Sequence, residues 1–271
     1  MNRPAKPAPE DSGSTEIRHC HGLAEYEQCV ELERIIWGEQ ITVPAAIFVV
    51  AEHTGGQILG AFDRGRLIGF TMALSGHRNA KPFLHSHMTG VLAEYRDRGI
   101  GRQLKEFQRS DALKNGINLV EWTFDPLELR NAHLNFMRLG AVARRFLPNC
   151  YGVTNTELHG RLPTDRLIAE WWLDSPRAQG ILAGGVAPAP DSSIARVISV
   201  PTAFARQKSA DHDSAERTQA RVRSEFQELF HQGYVATAIR TRGETMEYIL
   251  LPSASIAGLR LPEYRPEEFE D

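Results

Sequence analysis

Cysteine is scarce in this chain: Cys20, Cys29 and Cys150 are the only three in 271 residues, an odd number with no CxxC spacing. That excludes a disulfide framework and a thiolate zinc site, and a reducing cytoplasm fits best. Apolar runs are short as well. Nothing approaches the roughly 18 consecutive apolar residues of a membrane span, and the start, Met1-Asn2-Arg3-Pro4-Ala5-Lys6-Pro7, has no secretory apolar segment. The expectation is a soluble, unexported, cytoplasmic protein with no membrane partner. Neither sign of charge is in excess: 31 basic against 34 acidic side chains leave a formal net charge of -3. General nucleic-acid affinity is therefore not expected, and any basic site must be local. No repeat period is evident. The 42% of apolar residues are enough to build a core for one large domain or two ordinary ones.

Residues 1–15 are rich in Pro, Ala, Ser and Glu without periodicity and read as a disordered tail. Leu23, Tyr26, Val30, Leu32, Ile35 and Ile36 recur at helical spacing until Gly38, and Val43–Ala51 reads as a short helix starting at proline, with a strand as the alternative. Gln57–Phe62 and Leu67–Ala73 flank the hairpin turn Asp63-Arg64-Gly65, and a third strand, Phe83–Leu92, follows. Ile100, Leu104, Phe107 and Leu113 mark an amphipathic helix stopped at Asn115-Gly116. Then come a strand at Leu119–Phe124, a helix from Pro126 to Leu139, and a strand from Arg166 to Leu173. Gly184-Gly185, Pro188, Pro190 and Ser192-Ser193 mark a linker, taken as 176–193. Beyond it a strand (Ile194–Val200), a helix (Ser214–Gln232) and a hairpin turned at Arg242-Gly243 make a C-terminal extension over 194–254, before an acidic tail at 255–271.

The chemistry concentrates in Val91-Leu92-Ala93-Glu94-Tyr95-Arg96-Asp97-Arg98-Gly99-Ile100-Gly101-Arg102, between a strand and a helix. Two glycines at such a junction let backbone approach a ligand, and the first N–H groups of the helix carry about half a positive charge. Arg96, Arg98 and Arg102 add guanidinium groups whose paired donors match phosphate oxygens, so a pyrophosphate is the natural ligand. A Rossmann site would need a third glycine, and a phosphate loop of the GxxxxGK[ST] type is absent. The bland alternative is a tight turn with solvated arginines.

Arg96-x-x-Gly99-x-Gly101 resembles the (Q/R)xxGx(G/A) acyl-CoA loop of the GNAT superfamily of N-acyltransferases. Asn131 and Phe136-x-Arg138-Leu139-Gly140 are similar to its second signature, which has Asn, Tyr and then (K/R)xG. Thr123-Phe124-Asp125-Pro126-Leu127-Glu128 and Leu162-Pro163-Thr164-Asp165-Arg166-Leu167 resemble an uncharacterised branch of similar length. The superfamily likeness covers about residues 16–175. It implies an α/β fold of the mixed α+β kind: a splayed, mostly antiparallel mixed sheet flanked by helices, with the C-terminal strand-helix-hairpin added. It also implies that acetyl-CoA, or another acyl-CoA, enters between the strands ending near Val91 and Phe124. The pyrophosphate would sit on Arg98, Gly99, Ile100, Gly101 and Arg102, and the pantetheine would pair with Val91 and Ala93. Asn131 would contact the pantetheine or a bridging water, although it lies about two residues nearer the terminal glycine than the family pattern has it.

Acyl transfer to an amine needs a base, because an alkylammonium has a pKa of about 10. His85 and His87 alternate with Ser86, which puts both on one face of the strand about 7 Å apart. In register with the loop they fall where arylalkylamine N-acetyltransferases of the superfamily carry paired base histidines; packing, or a zinc pair lacking a third ligand, is the other reading. Asp125 could be a base or an ammonium clamp, but Asp125-Pro126-Leu127-Glu128 also has the form of a capping box. Glu121 and Glu170 belong either in a pocket or on a solvent face. Phe136 stands where many members have a Tyr that protonates the departing thiolate, leaving water or Tyr151 for that role. A backbone N–H near Val91 would be the oxyanion donor.

The leading expectation is thus an enzyme: an acyl-CoA-dependent N-acyltransferase, acetyl or succinyl, acting on a small-molecule amine or amino acid without a metal. The competing classes are a non-catalytic acyl-CoA sensor, which Phe136 would permit, and a nucleic-acid partner using Arg217, Arg221 and Arg223, against which Glu216, Glu225 and Glu228 on the same helix argue. The C-terminal extension could join the main sheet, form a second lobe, cover the acceptor or make a homodimer.

Overall fold

A computed structural model describes residues 15–39, 42–152, 162–185, 193–256 and 258–259. The tails expected at 1–15 and 255–271 lie outside the described residues except for Thr15 and 255–256 and 258–259. The fold is α/β, a mostly antiparallel mixed sheet flanked by helices, and the chain divides into two compact units: 1–75 with 86–111, and 76–85 with 112–271.

The first unit pairs β1 (Glu16–His19) with β2 (Gln57–Asp63), and β2 with β3 (Arg66–Arg78), all antiparallel. The β2–β3 turn places Arg64 and Gly65 at φ 49° and 81°, the left-handed pair that a two-residue hairpin turn requires. Strand β4 (Lys81–Val91) follows β3, and its second half is the edge strand of this unit. Helix α1 (Gly22–Trp37) ends at Gly38 as expected, and the ambiguous segment is a helix, α2 (Ala45–His53), with Pro44 before its first turn. Tyr26, Phe48 and Phe70 stack through the centre, with ring centroids 6.1 and 6.2 Å apart. Helix α1 closes onto β4 at Gly90, where a Cβ would come within 2.7 Å of Ile36 and 2.9 Å of Trp37. Helix α3 (Ile100–Lys114) joins this core through Ile100, Leu104 and Phe107. Strand β1 is not foreshadowed by the sequence pattern.

In the second unit the first half of β4 runs parallel to β5 (Leu119–Phe124), pairing Leu84 with Val120 and His85 with Glu121. From β5 the order continues through β7 (Arg166–Trp172), β6 (Val142–Leu147), β9 (Tyr234–Arg242), β10 (Thr245–Pro252) and β8 (Arg196–Pro201), each pair antiparallel. The C-terminal strands therefore continue the sheet of this unit beyond β6. Phe226 of α7 (His212–His231), Tyr248 of β10 and Phe136 form one aromatic cluster, with centroids 5.1 and 6.0 Å apart.

Three expectations need correction here. The helix foreseen from Pro126 is a short α4 (Leu129–His133) running into a π-helical turn, Leu134–Leu139. Its capping box does not form: Asp125 Oδ1 accepts from Leu127 N at 2.8 Å, and Glu128 itself occupies the N-cap position without a side-chain cap. The stretch expected as a linker contains α5 (Pro176–Leu182), capped by Ser175, while 186–192 lie outside the described residues. A further helix, α6 (Phe204–Ala210), precedes α7.

Candidate active site

The glycine-rich loop lies wholly in the first unit. Leu92 N donates to Ile68 O at 2.9 Å, Ala93–Tyr95 make a 3-10 turn, and Asp97 and Gly99 take φ values of 62° and 80° before α3 begins. Two contacts fasten the loop to the β2–β3 hairpin: Tyr95 Oη donates to Asp63 Oδ2 at 2.9 Å, and Arg66 meets Glu94 at 3.4 Å. Above Gly99 and Gly101 the space is open. A Cβ at Gly101 would meet nothing within 4 Å, and one at Gly99 only Gln103 Nε2 at 4.0 Å. The first-turn N–H groups of a helix have no intrahelical acceptor, so this surface suits an anion that the backbone can approach closely.

The three arginines divide their work. Arg96 Nε donates to Val91 O at 3.1 Å and ties the loop to the strand end, while Arg98 lies over the Tyr95 ring at 5.0 Å. Arg102 Nε donates to Glu106 Oε1 at 2.7 Å, one turn down the helix. Val91 is half-buried and Ala93 exposed at the head of the loop, and Ile100 is an anchor, buried in the core beneath it.

On β4 the alternation is as expected. Ser86 is buried, and His85 and His87 emerge on the other face, half-buried and solvent-reaching respectively. Neighbouring protein still lowers the His87 imidazole below its ordinary value by burial. Ser86 Oγ accepts from the buried Lys105 Nζ of α3 at 2.7 Å.

The second unit holds the other candidates. Burial pushes the Asp125 carboxyl up, partly offset by the Leu127 N–H it accepts. Tyr151 Oη lies 2.9 Å from Thr123 Oγ1 and the Arg166 guanidinium 5.5 Å from its ring; burial raises the phenol above its usual value. Asn131 is exposed on α4, whereas Asn135, one turn later, is buried and accepts from Trp122 Nε1 at 3.2 Å. Phe136 is fully buried, edge-on to Phe124 and Tyr248 at 5.9 and 6.0 Å. The Tyr248 hydroxyl is no substitute acid, since it is buried and donates to Pro126 O. Glu121 and Glu170 are both buried rather than on a solvent face, and Glu170 lines a small pocket with Gly140, Val142 and Arg177; Arg78 and Arg145 hold the first, Arg144 and Arg145 the second, at 2.6–3.1 Å. Burial pushes Glu121 up, but its two arginines outweigh that and leave it below the usual carboxylate range. Among the described residues no group of three His, Cys, Asp or Glu could hold a metal ion.

The acetyltransferase (GNAT) family matches residues 21–140, from α1 through the loop to Gly140. This stretch is a GNAT acetyltransferase domain. Strands β6–β10 lie beyond the match. Solved structures similar to the chain include yncA from Salmonella typhimurium with its cofactor acetyl-CoA (15% identity, 66% of this chain and 99% of that one, TM-score 0.49). Others are the ribosomal-protein-S18-alanine N-acetyltransferase from Escherichia coli (14%, 66% and 98%, 0.47) and aminoglycoside 6'-acetyltransferase type Ii (18%, 58% and 97%, 0.46). No curated protein sequence matches the chain.

Sequence reasoning missed what positions Tyr151 beside the GNAT match. Thr164 Oγ1 accepts from Tyr151 N at 2.8 Å and donates to Gly152 O at 2.8 Å, and Asn149 Oδ1 accepts from Thr164 N at 3.2 Å. Asp165, its carboxylate fully buried, accepts from Asn149 N at 3.0 Å and from Arg223 Nε and Nη2 at 2.8 and 2.9 Å. The Thr-Asp pair of the Leu162–Leu167 motif is thus a clamp joining the Tyr151 turn to α7. The motif itself was the available signal; its partners stand up to 58 residues away.

Proposed function

We propose that this chain transfers an acyl group, acetyl first and succinyl as the alternative, from coenzyme A directly to the amine of a small molecule or amino acid. The observation that carries the reading is the open, doubly glycine-lined first turn of α3 with Arg96 and Arg98 beside it, within a GNAT acetyltransferase domain. The residues present fit the coenzyme's diphosphate: backbone N–H groups and the helix dipole meet its charge, and no side chain fills the cradle. Val91 at the end of β4 and Ala93 at the start of the turn that follows offer backbone for the pantetheine arm, and the bound coenzyme supplies an activated thioester.

His85 and His87 are the candidate bases. Burial lowers the His87 imidazole below its ordinary value, which favours its neutral form, and a neutral imidazole can accept the proton of an acceptor ammonium. Tyr151, held through Thr123, is the candidate donor to the departing thiolate. With a thiol pKa of about 8–9 that thiolate leaves without a strong acid, so a buried Phe136 is compatible with turnover. Asp125, partly buried beside Arg166 and Lys208, is the candidate base or ammonium clamp. A second reading, an acyl-CoA sensor without turnover, is favoured by the same burial of Phe136.

Thiol release from acetyl-CoA and succinyl-CoA, with mass-spectrometric detection of acylated products from a pooled library of amines, amino acids and peptides, tests the proposal. A small acylated amine is the expected product. Products confined to peptides would refute the acceptor class, and coenzyme binding without any product would favour the sensor.

A further inference from the structure

Lys105 occupies the sixth position of α3, about 7–8 Å along the axis from Ile100 at 1.5 Å per residue. Only 4% of it is exposed. Its Nζ donates to Ser86 Oγ at 2.7 Å and to Gln108 Oε1 at 3.0 Å, both neutral acceptors. Ser86 in turn lies 3.4 Å from Thr71 Oγ1, which reaches Thr89 Oγ1 at 2.7 Å and Met88 O at 3.0 Å. A buried polar seam therefore joins the helix that opens with the phosphate cradle to the strand that carries His85 and His87. The charged groups of α3 around it are Arg102 and Glu106, paired with each other at 2.7 Å, Arg109, and Asp111. From β1, His19 Nε2 meets Asp111 Oδ1 at 3.3 Å, while β2, β3 and β4 bring uncharged Gln57, Thr71 and Ser86. The seam is also incompletely satisfied: Gln57 Oε1 and Gln108 Nε2 are buried without a hydrogen-bond partner among the described residues. Burial brings the Lys105 amine down to about 7, so near neutral pH it stands between its two charge states.

We propose that Lys105 takes up a proton from solvent when coenzyme A seats its diphosphate on the first turn of α3, so that the coenzyme site and this buried amine share one proton equilibrium. The inference rests on the coenzyme reading of the loop. Negative charge placed at the head of the helix favours the ammonium over the amine, and linkage makes the effect reciprocal. An upward shift of about one unit corresponds to about half a proton taken up per coenzyme at pH about 7.5, and to about tenfold weaker binding well above pH 8 than below pH 7. Uptake fades at pH 6, where Lys105 is already charged in the free protein. The coenzyme's own monophosphate, with a second pKa of about 6, titrates lower and would show the opposite trend.

The test is calorimetric titration of coenzyme A into the full chain at pH 6, 7.5 and 8.5, in buffers of different ionisation enthalpy, for the wild type and for Lys105→Met. About half a proton at pH 7.5 in the wild type, little at pH 6, and none in Lys105→Met with binding retained is the expected result. The wild-type pH series stands even if the variant does not fold. Binding without proton uptake at pH 7.5, or uptake that persists in Lys105→Met, overturns the inference and leaves the coenzyme reading intact. Absence of binding overturns both.

Discussion

Phe136→Tyr adds the hydroxyl that the resemblance to the GNAT signature leads one to expect there, and the structure predicts that it harms stability without improving chemistry. The ring is fully buried, wedged edge-on between Phe124 and Tyr248, and it sits in the π-helical turn Leu134–Leu139. An added oxygen has to be accommodated in a packed aromatic cluster, which costs about 1–3 kcal/mol. Its O–H adds about 1–3 kcal/mol if it finds no acceptor. The sum, about 2–6 kcal/mol, is a large share of a typical domain's stability of about 5–15 kcal/mol. Urea unfolding should show a lower midpoint at unchanged slope, and thiol release per folded molecule should stay within about twofold of wild type. A variant as stable as wild type with turnover raised tenfold or more would refute the reasoning, because the ring edge would then have to reach the departing sulfur.

Four other outcomes follow from the same contacts. Asp165→Asn removes the carboxylate from Arg223 and should cost about 2–3 kcal/mol in chemical denaturation, less than a fully buried pair because Arg223 is 30% exposed; coenzyme binding should be unaffected. Burial raises the Glu33 carboxyl to about 7, so between about pH 4.5 and 7 the folded state binds more protons than the unfolded one, and stability falls as pH rises through that window. Glu33→Gln should therefore stabilise by on the order of 1–3 kcal/mol at pH 8 and by nearly nothing at pH 4.5, measured by denaturation at the two pH values. His85→Ala with His87→Ala should lower turnover by about 10²-fold or more at unchanged coenzyme affinity, and unchanged turnover would dismiss both as the base. Tyr151→Phe should slow thiol release about tenfold, most visibly with the least reactive acyl donor.

The glycine-rich turn into α3 could be read from sequence because its pattern is local: glycines, arginines and a helix start within seven residues. The hairpins at Asp63-Arg64-Gly65 and Arg242-Gly243 were readable for the same reason. Strand β6 was not, since Arg144 and Arg145 in its middle look like solvent-facing residues until Glu121 and Glu170 are seen opposite them, paired across at least 24 positions of sequence. Strand β1 is four residues long, too short for periodicity to register. The Asp125–Glu128 pattern misled because Asp125 turns to the Leu127 N–H instead, and helix formation waits until Leu129. Lys105 carried no signal at all, as a charged residue on a charged helix whose burial only the packing of α3 on β4 reveals.

Direct titration of acetyl-CoA into wild type and Gly101→Trp asks whether the first turn of α3 holds an acyl-CoA diphosphate. Gly101 has open space where a Cβ would stand, so the tryptophan should fold normally while filling the cradle. Saturable one-site binding to the wild type and its loss in a folded Gly101→Trp is the expected result. Equal binding by both, or no binding of acetyl- or succinyl-CoA to the wild type at millimolar concentration, would contradict it.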